Sequence, residues 1–282
     1  MERINSFLET AKAYKAIFLD SYGVLKNYFG AIEGVQETID ALRRMNKEIR
    51  ILTNDASRSQ GQQAEGFKRI GIQGIDEQEI ITSGMMAKNF LDTKIRYGKI
   101  AYLGTENSAH YILQAGLDHI PVKAVELDDL HQISAFVFLD DEGFDWNTDI
   151  NKTINLLRRK IIPVIVANSD NLYPVSHNDV SVATGGLAKL VENILNKKFI
   201  HFGKPDSQMF MYAFEDLNRN QTIEKHEILM VGDTLHTDIL GGNKFGVHTT
   251  LVLTGNTRRE NSEMLIHSSG IIPDYICESI GC

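Results

Sequence analysis

Carboxylates, a hydroxyl and a lysine follow strand-like apolar runs of this sequence, and together they could bind a metal ion and a phosphate group. Asp20 closes one run, Thr53 closes another, and Asp233 closes a third, with Asp238 five residues later. Lys204 follows a fourth, shorter run. Carboxylate oxygens suit Mg²⁺, which proteins bind through one or two carboxylates together with phosphate oxygens of the substrate. The lysine and the threonine would contact the remaining phosphate oxygens.

Each of these residues also has an ordinary structural explanation when it is taken alone. A strand-terminal Asp before Gly typically forms a turn or caps a helix, and a Thr-Asn pair after a strand is common turn chemistry. A single Lys before Pro is usually just solvated. Four such signals in order, each at the end of a strand, favour one shared site over four unrelated turns.

The elements that must position these residues alternate between strand-like and helix-like segments. The N-terminal part reads AIFLD, IEGVQETIDALRRMNK, IRILT and SQGQQAEGFKRIG, and the C-terminal part reads EILMVGD, TLHTDILGGNKFG and HTTLVLTG. This alternation predicts β-α-β units around a parallel sheet whose strands are buried on both faces. In such an open sheet, ligands bind at the carboxyl ends of the strands, near the point where strand order reverses. We therefore predict an α/β, doubly wound, Rossmann-like core with its site at that edge.

The middle of the chain has strands and helices of its own. KIAYLG, SAFVFLD and IIPVIVAN are strand-like and are separated by helix-like runs. Small residues in ITSG and VATGG are typical of hinges at its two ends. The sequence thus predicts a core formed by residues 1–83 and 184–282, with residues 84–183 inserted as a second α/β domain.

Composition excludes several classes of protein. With 29 basic and 37 acidic residues, the net charge is -8, and no basic stripe interleaved with aromatic residues points to nucleic acid. No apolar run is long enough to cross a bilayer. Only Cys277 and Cys282 occur, which excludes a disulfide framework or a cysteine metal site. We expect a soluble, cytoplasmic protein without a nucleic-acid or membrane partner.

Several stretches resemble the haloacid dehalogenase superfamily, and more closely its NagD-like branch of sugar-phosphate, p-nitrophenyl phosphate and pyridoxal phosphate phosphatases. The superfamily's phosphatases carry DxDG[TV] after the first strand, a Thr or Ser after the second, then a Lys, and finally an acidic pair. The stretches similar to the NagD-like branch are ILTNDASRS, TGGLAKLVENILNKKFIHFGKPDSQMF, MVGDTLHTDILGG and TTLVLTG. AYLGTENSAHYIL and VANSDNLYP resemble that branch's cap domain. The resemblance covers nearly the whole chain from about residue 16.

The resemblance implies a role for each matching residue that would contact the phosphoryl group. Asp20 would be the nucleophile that forms an aspartyl-phosphate. Thr53 and the backbone of Asn54 would bind the transferring group. Lys204 would neutralise it and orient Asp20.

The resemblance also implies a metal and a substrate site. Asp20 and Asp233 would ligate Mg²⁺, Asp238 would ligate it or hold its waters, and the Tyr22 backbone carbonyl would complete the protein ligands. Ser57, Arg58 and cap residues near 168–173 would face a small phosphorylated metabolite. Relatives often pair through the cap, which implies a homodimer.

Position 22 departs from the phosphatase pattern. The family's phosphatases have a second Asp here, which protonates the leaving group and then deprotonates water. A phenol, with an ordinary pKa near ~10, is a weak acid and a poor base at neutral pH. We therefore expect slow hydrolysis of phosphate monoesters. The rate of hydrolysis should fall least for aryl and acyl phosphates, because their leaving groups barely need protonation.

Tyr22 leaves two alternatives open. Haloacid dehalogenases proper look like D-x-Y-G-T at this motif, which would mean displacement of halide by Asp20 without a metal. The acidic pair Asp233 and Asp238 speaks against this alternative, because uncompensated carboxylates repel an anionic carboxylate substrate. The second alternative is a protein that binds a phosphorylated ligand and has lost turnover. The sequence favours a Mg²⁺-dependent phosphatase.

Overall fold

Parallel strands with helices between them dominate the computed structural model of this chain, which describes residues 1–176, 178–219 and 221–281. The strands are, in chain order, β1 (Glu2–Arg3), β2 (Ala16–Leu19), β3 (Lys26–Asn27), β4 (Gly30–Ala31), β5 (Glu48–Thr53), β6 (Ile80–Thr82), β7 (Lys99–Leu103), β8 (Asp118–Pro121), β9 (Ile133–Phe138), β10 (Val164–Val166), β11 (Leu172–Pro174), β12 (Val180–Val182), β13 (Ile200–His201), β14 (Ile228–Gly232), β15 (His248–Val252) and β16 (Tyr275–Cys277). The α-helices are α1 (Phe7–Ala11), α2 (Val35–Arg44), α3 (Gln60–Arg69), α4 (Ser83–Lys94), α5 (His110–Gln114), α6 (Thr148–Arg159), α7 (Thr184–Leu195), α8 (Ser207–Leu217), α9 (Leu240–Phe245) and α10 (Ser262–Ser269).

The chain divides into two compact units, and the first contains both ends of the described chain. This core unit comprises Met1–Thr53, Gln60–Ile81 and the chain from Lys204 onward. Its main sheet has the strand order β1-β16-β15-β14-β2-β5-β6. Strand β2 pairs in parallel with both β5 and β14. Later strands continue outward from β5 on one side and from β14 on the other, so strand order reverses between β2 and β14, as in a doubly wound fold.

Burial explains why the central strands form. Every residue of β2 and of β14 is buried, which is typical of parallel strands covered on both faces. Helix α2 packs on the sheet through Val35, Ile39 and Leu42, which lie at helical spacing on its buried face. These observations confirm the predicted α/β, Rossmann-like core.

The second unit comprises Asn54–Ser59 and Thr82–Gly203. Its sheet has the order β13-β10-β9-β7-β8, and all of the neighbouring pairs are parallel. A separate antiparallel hairpin joins β11 and β12. The apolar core of the second unit includes Phe136, Phe138 and Val166. Because the short segment of residues 54–59 belongs to this inserted unit, the chain passes between the two units at four places.

None of the helices among the described residues combines the length and the apolar character that a bilayer crossing requires.

Candidate active site

Asp20 follows β2 directly, at the carboxyl edge where strand order reverses. Its backbone N–H donates to the Val231 carbonyl at 2.9 Å, which extends the pairing with β14 by one residue. The Lys204 ammonium donates to its Oδ1 at 2.6 Å. This contact fixes the direction of the carboxylate.

Lys204 lies between two carboxylates. Its Nζ is 2.6 Å from Asp20 Oδ1 and 2.7 Å from Asp238 Oδ1, and its side chain is only 2% exposed. Burial alone would lower the pKa of this ammonium, but Asp20 and Asp238 outweigh burial and raise it above its ordinary value. The lysine is therefore a permanent cation at neutral pH.

Asp233 follows β14 and is held by backbone and hydroxyl groups. The Asn256 backbone N–H donates to its Oδ2 at 2.5 Å, and the Thr234 hydroxyl donates to its Oδ1 at 3.0 Å. The side chain of Asn256 donates in turn to the Thr234 hydroxyl at 2.9 Å. A Cβ at Gly23 or Gly255 would lie 2.4 or 1.9 Å from Asp233 Oδ2. Only glycine at these two positions leaves room for the carboxylate.

Asp238 enters the site from a π-helical turn at Leu235–Ile239. Its side chain is fully buried, and its Oδ2 accepts the Thr234 backbone N–H at 3.0 Å. The wider turn points residue 238 back toward the strand end. The predicted acidic pair, Asp233 and Asp238, is thus brought together with Asp20.

The three carboxylates form a set of ligands that fits a divalent cation. Asp20, Asp233 and Asp238 each offer one oxygen, and these oxygens lie within 4.8 Å of one another. Burial, assisted by the neighbouring carboxylates, raises the pKa of Asp20 well above its ordinary value. Burial and the charge of Asp238 raise the pKa of Asp233 to about 7. Three carboxylates carry more negative charge than Lys204 can balance, and hard oxygen ligands suit Mg²⁺.

Thr53 is the last residue of β5, the neighbour of β2. Ile51 pairs with Leu19, so Thr53 lies two residues further toward the carboxyl edge that Asp20 occupies. It is only 5% exposed. The core unit therefore places Thr53 at the same edge of the sheet as the acidic cluster.

Tyr22 begins a turn that leads into the β3–β4 hairpin. The Gly23 N–H donates to the Lys26 carbonyl at 2.7 Å, and Gly23 has a φ of 83°. The half-buried Tyr22 phenol hydrogen-bonds with the backbone of Tyr28 in this hairpin. Burial raises the pKa of the phenol above its ordinary value, and the charge of Asp233 adds to the effect. The side chain is therefore protonated, and engaged by the hairpin, at neutral pH.

Three predicted residues belong to the inserted unit, where their side chains have partners of their own. The Asn54 amide donates to Asp170 Oδ1 at 2.8 Å. The backbone N–H and the hydroxyl of Ser57 donate to Asp55 Oδ1 at 2.8 and 2.5 Å. The Arg58 guanidinium lies 3.2 Å from Asp55 Oδ2. Asp55 therefore organises the segment that contains Ser57 and Arg58.

Two residues that position Asp233, Thr234 and Asn256, were missed by the sequence reasoning. A signal was present, because Thr254-Gly255-Asn256 is another small, polar cluster directly after an apolar strand. The Thr254 hydroxyl donates to the Gly23 carbonyl at 2.5 Å. The loop after β15 thus holds both the Tyr22–Gly23 turn and the carboxylate of Asp233.

Two protein-family models match the chain. The model described as haloacid dehalogenase-like hydrolase matches residues 17–118. The model described as HAD-hydrolase-like matches residues 201–281. The two stretches include Asp20, Thr53, Lys204 and both of the later carboxylates.

The chain is similar to known proteins in sequence and in structure, and two of the three below have phosphatase in their names. A solved structure from Cytophaga hutchinsonii, called a possible sugar phosphatase of the HAD superfamily, is 51% identical with a TM-score of 0.96 and covers 100% of this chain and 99% of its own. Human chronophin is 28% identical over 273 residues, covering 94% of this chain and 90% of its own. A glycerol phosphate phosphatase from Mycobacterium tuberculosis, solved in complex with magnesium, shares the fold with a TM-score of 0.78 at 21% identity, covering 96% of this chain and 76% of its own.

Proposed function

This chain belongs to the haloacid dehalogenase superfamily, in its NagD-like branch, and on that basis we propose that it is a Mg²⁺-dependent hydrolase of small phosphate monoesters. One observation carries the proposal. The Asp20 carboxylate is held by Lys204 beside two further buried carboxylates at the carboxyl edge of the sheet. The phosphatase names of similar proteins support the same reaction class.

Asp20 is the nucleophile in this proposal. Its carboxylate attacks phosphorus, the bond from phosphorus to the leaving oxygen breaks, and an aspartyl-phosphate remains on the enzyme. Water then hydrolyses this intermediate and releases inorganic phosphate, so one difficult displacement becomes two easier ones. Lys204 orients Asp20 and stabilises the negative charge of the transferring group, assisted by the Thr53 hydroxyl and the Asn54 backbone N–H.

Asp20, Asp233, Asp238 and the Tyr22 carbonyl would hold the metal. When bound, a divalent ion supplies positive charge that keeps the carboxylates ionised and stabilises the phosphoryl oxygens. The Asn256 N–H and the Thr234 hydroxyl fix Asp233 in this arrangement by donating to its two oxygens.

The leaving group decides the rate in this proposal. The Tyr22 phenol has a raised pKa and hydrogen-bonds with the Tyr28 backbone, so it is a poor substitute for a carboxylic acid. The lack of a positioned acid and base typically costs on the order of a hundredfold to ten-thousandfold in rate. Aryl and acyl phosphates should therefore be hydrolysed faster than alkyl or sugar phosphates. Ser57, Arg58 and other residues of the inserted unit would select the substrate, and the protein would act in the cytoplasm.

The experiment that tests the proposal measures phosphate release from a panel of sugar, alkyl, aryl and acyl phosphates, with and without Mg²⁺. Asp20→Asn is the matched control, because it keeps the size and shape of the side chain but removes the nucleophile. We expect Mg²⁺-dependent release that the control abolishes. Activity that survives Asp20→Asn would remove Asp20 as the nucleophile, and an unchanged Mg²⁺ dependence in Asp233→Asn would remove Asp233 as a ligand.

If none of the substrates in the panel releases phosphate, the two alternatives that Tyr22 raises are favoured. Chloride release from 2-haloacids without metal would identify a dehalogenase. Binding of phosphorylated metabolites without turnover would identify a binding protein.

A further inference from the structure

Two of the proposed catalytic residues lie directly at places where the chain passes from one unit to the other. The four passages are at 53/54, 59/60, 81/82 and 203/204. Thr53 is the last core-unit residue before the first passage, and Lys204 is the first core-unit residue after the fourth. The neighbours of these two residues along the chain, Asn54 and Gly203, both belong to the inserted unit.

The Asn54 side chain is buried in a polar junction of the inserted unit. It is only 3% exposed. Its Nδ2 donates to Asp170 Oδ1 at 2.8 Å and to Ser169 Oγ at 3.1 Å. The Asn54 amide therefore donates both of its hydrogen bonds to the loop after β10.

Two further contacts join Asn54 to other passages of the chain. Gly203 packs against it so closely that a Cβ at position 203 would lie 2.5 Å from Asn54 Oδ1. The Ser83 hydroxyl, which is fully buried, donates to the Asn54 carbonyl at 2.7 Å. Asn54, Ser83, Ser169, Asp170 and Gly203 are called the Asn54 junction below. It links the first, third and fourth passages within one network, which is buried at Asn54, Ser83 and Gly203 and half-buried at Ser169 and Asp170.

We propose that the Asn54 side chain is a positioning residue that fixes Thr53 and Lys204 in their catalytic places. One peptide bond connects Asn54 to Thr53, and one connects Gly203 to Lys204. A junction that holds Asn54 against Gly203 therefore restrains both catalytic residues at once. Displacement of a catalytic group by about 1 Å can cost on the order of a hundredfold in rate, and buried, fully paired polar groups give the rigidity that prevents it. The inference rests on the proposed phosphatase function for its kinetic part only.

An exchange of the amide and the carboxylate tests this role. Asn54→Asp places a second carboxylate against Asp170, and we expect kcat to fall about a hundredfold. Asp170→Asn keeps an oxygen that accepts from the Asn54 amide, so amide hydrogen exchange at residues 53–54 and 203–204 should stay close to that of the wild type. In the double variant, the amide introduced at position 170 can donate to the carboxylate introduced at position 54, so kcat should recover most of the loss. If the double variant stays as slow as Asn54→Asp, or if Asn54→Asp itself keeps its kcat, the proposal is overturned.

Tyr111→Phe is the matched control. Tyr111 is 2% exposed, and its hydroxyl lies 2.9 Å from the Arg58 carbonyl and 2.6 Å from Thr82 Oγ1. These contacts lie beside the second and third passages, where no proposed catalytic residue borders the chain. We expect lower thermal stability with unchanged kcat. An equal fall of kcat in this variant would mean that general loosening, and not the Asn54 junction, controls the rate.

Hydrogen exchange separates this proposal from the proposed function. Mass spectrometry of the full-length chain should show faster amide exchange in peptides that contain residues 53–54 and 203–204 of Asn54→Asp, with slower exchange again in the double variant. This readout needs no turnover. If the wild type releases no phosphate but the exchange pattern appears, the phosphatase assignment fails and the junction stands. Unchanged exchange in Asn54→Asp would overturn the junction whatever the activity.

Discussion

In the proposed mechanism, Tyr22 affects hydrolysis of a phosphate ester more than its binding. Its backbone lies in the turn that ends at Gly23, where Asp233 packs closely, and under the proposed function its carbonyl would ligate the metal as the carbonyl of an Asp would. Its phenol has a raised pKa and a backbone partner in the β3–β4 hairpin. Under the proposed function, Tyr in place of Asp would remove proton transfer and leave the binding groups in place.

Tyr22→Asp should restore the missing acid and base. We expect kcat for alkyl and sugar phosphates to rise about a hundredfold, with a much smaller change for p-nitrophenyl phosphate, whose leaving group needs little protonation. Steady-state kinetics on the two substrate classes measures the difference. Tyr22→Phe is the control and should show no gain. If the folded Tyr22→Asp variant gains nothing on alkyl phosphates, position 22 does not limit turnover.

Asp140 is a second residue whose chemistry depends on burial. It is 8% exposed, and its oxygens accept the Thr105 hydroxyl and the Asp141 N–H, both at 2.9 Å. Burial raises its pKa from 3.8 to about 6, and the charges of Asp141 and Asp55 add to the effect. Between these two pH values the native state binds a proton that the unfolded chain has lost. Stability should therefore fall as pH rises through this window.

Asp140→Asn should stabilise the protein above about pH 6 by on the order of 1–3 kcal/mol, because the buried charge is gone. The gain should vanish below about pH 4, where the wild-type group is neutral in the unfolded chain as well as in the native state. Urea unfolding at both pH values measures it. Asp145→Asn is the control of opposite sign, since hydrogen bonds from Thr148 lower the pKa of Asp145 and its substitution should destabilise at neutral pH. A wild-type protein that is as stable as Asp140→Asn at about pH 8 would contradict the expected cost of this charge.

At the scale of elements, the loop after β15 positions the site together with the strands that carry the carboxylates. Its residues Thr254, Gly255 and Asn256 contact the turn at Gly23 and the side chain of Asp233. The loop therefore links the carboxyl ends of strands β2 and β14, between which the strand order of the sheet reverses.

Gly255→Ala should disrupt the site without unfolding the core. Its new Cβ would lie 1.9 Å from Asp233 Oδ2, so the carboxylate or the loop must move, and Mg²⁺ affinity measured by calorimetry should fall at least about tenfold. Gly66→Ala in α3 is the matched control, since nothing lies within 4 Å of its Cβ and alanine favours the helix by about 0.5–1 kcal/mol. Equal Mg²⁺ affinity in Gly255→Ala and the wild type would show that the loop does not hold Asp233.

The sequence predicted some elements well and others not at all. Buried apolar runs revealed β2, β5, β14 and β15, and with them the edge at which Asp20 and Asp233 meet. The β3–β4 hairpin was missed because its strands have two residues each, too few to show alternation. The backbone N–H of Asn256 could not be predicted as a partner of Asp233, because every residue except proline has such a group.

At the scale of the whole molecule, we propose that two copies of the chain pair through the inserted unit. Leu190 and Ile194 lie one turn apart on α7 and are 49% and 54% exposed, while Val180 and Val182 share a face of β12 and are 59% and 47% exposed. Exposed apolar groups that lie side by side, as within each of these two pairs, often mark an interface.

Leu190→Glu combined with Ile194→Glu should convert the expected dimer to a monomer, because charged groups cannot be buried unpaired in an interface. Size-exclusion chromatography with light scattering measures the mass. Met264→Glu on α10, where an apolar side chain of the core unit is 63% exposed, is the control and should stay dimeric. A monomeric wild type, or a double variant that remains a dimer, would reject this surface.

The division of the chain was the least predictable feature at this scale. Residues 54–59 continue directly from β5, and no composition signal marks them as part of the inserted unit. Hydrogen bonds from Asn54, Asn107 and Tyr111 join this segment to the rest of the inserted unit, and they span from 50 to 116 residues along the chain. Contacts of such sequence separation become visible only in three dimensions.

The Asn54 junction also limits how this enzyme could exchange parts with its relatives during evolution or in the laboratory. A recombinant that takes residues 82–203 from another member would bring foreign partners to Asn54, Ser57 and Arg58, which the host would still encode. Transfer of substrate preference should therefore require a second, six-residue cassette, residues 54–59, from the same donor. Under the proposed function, substrate specificity would therefore be inherited as two separate pieces of sequence, residues 54–59 and 82–203.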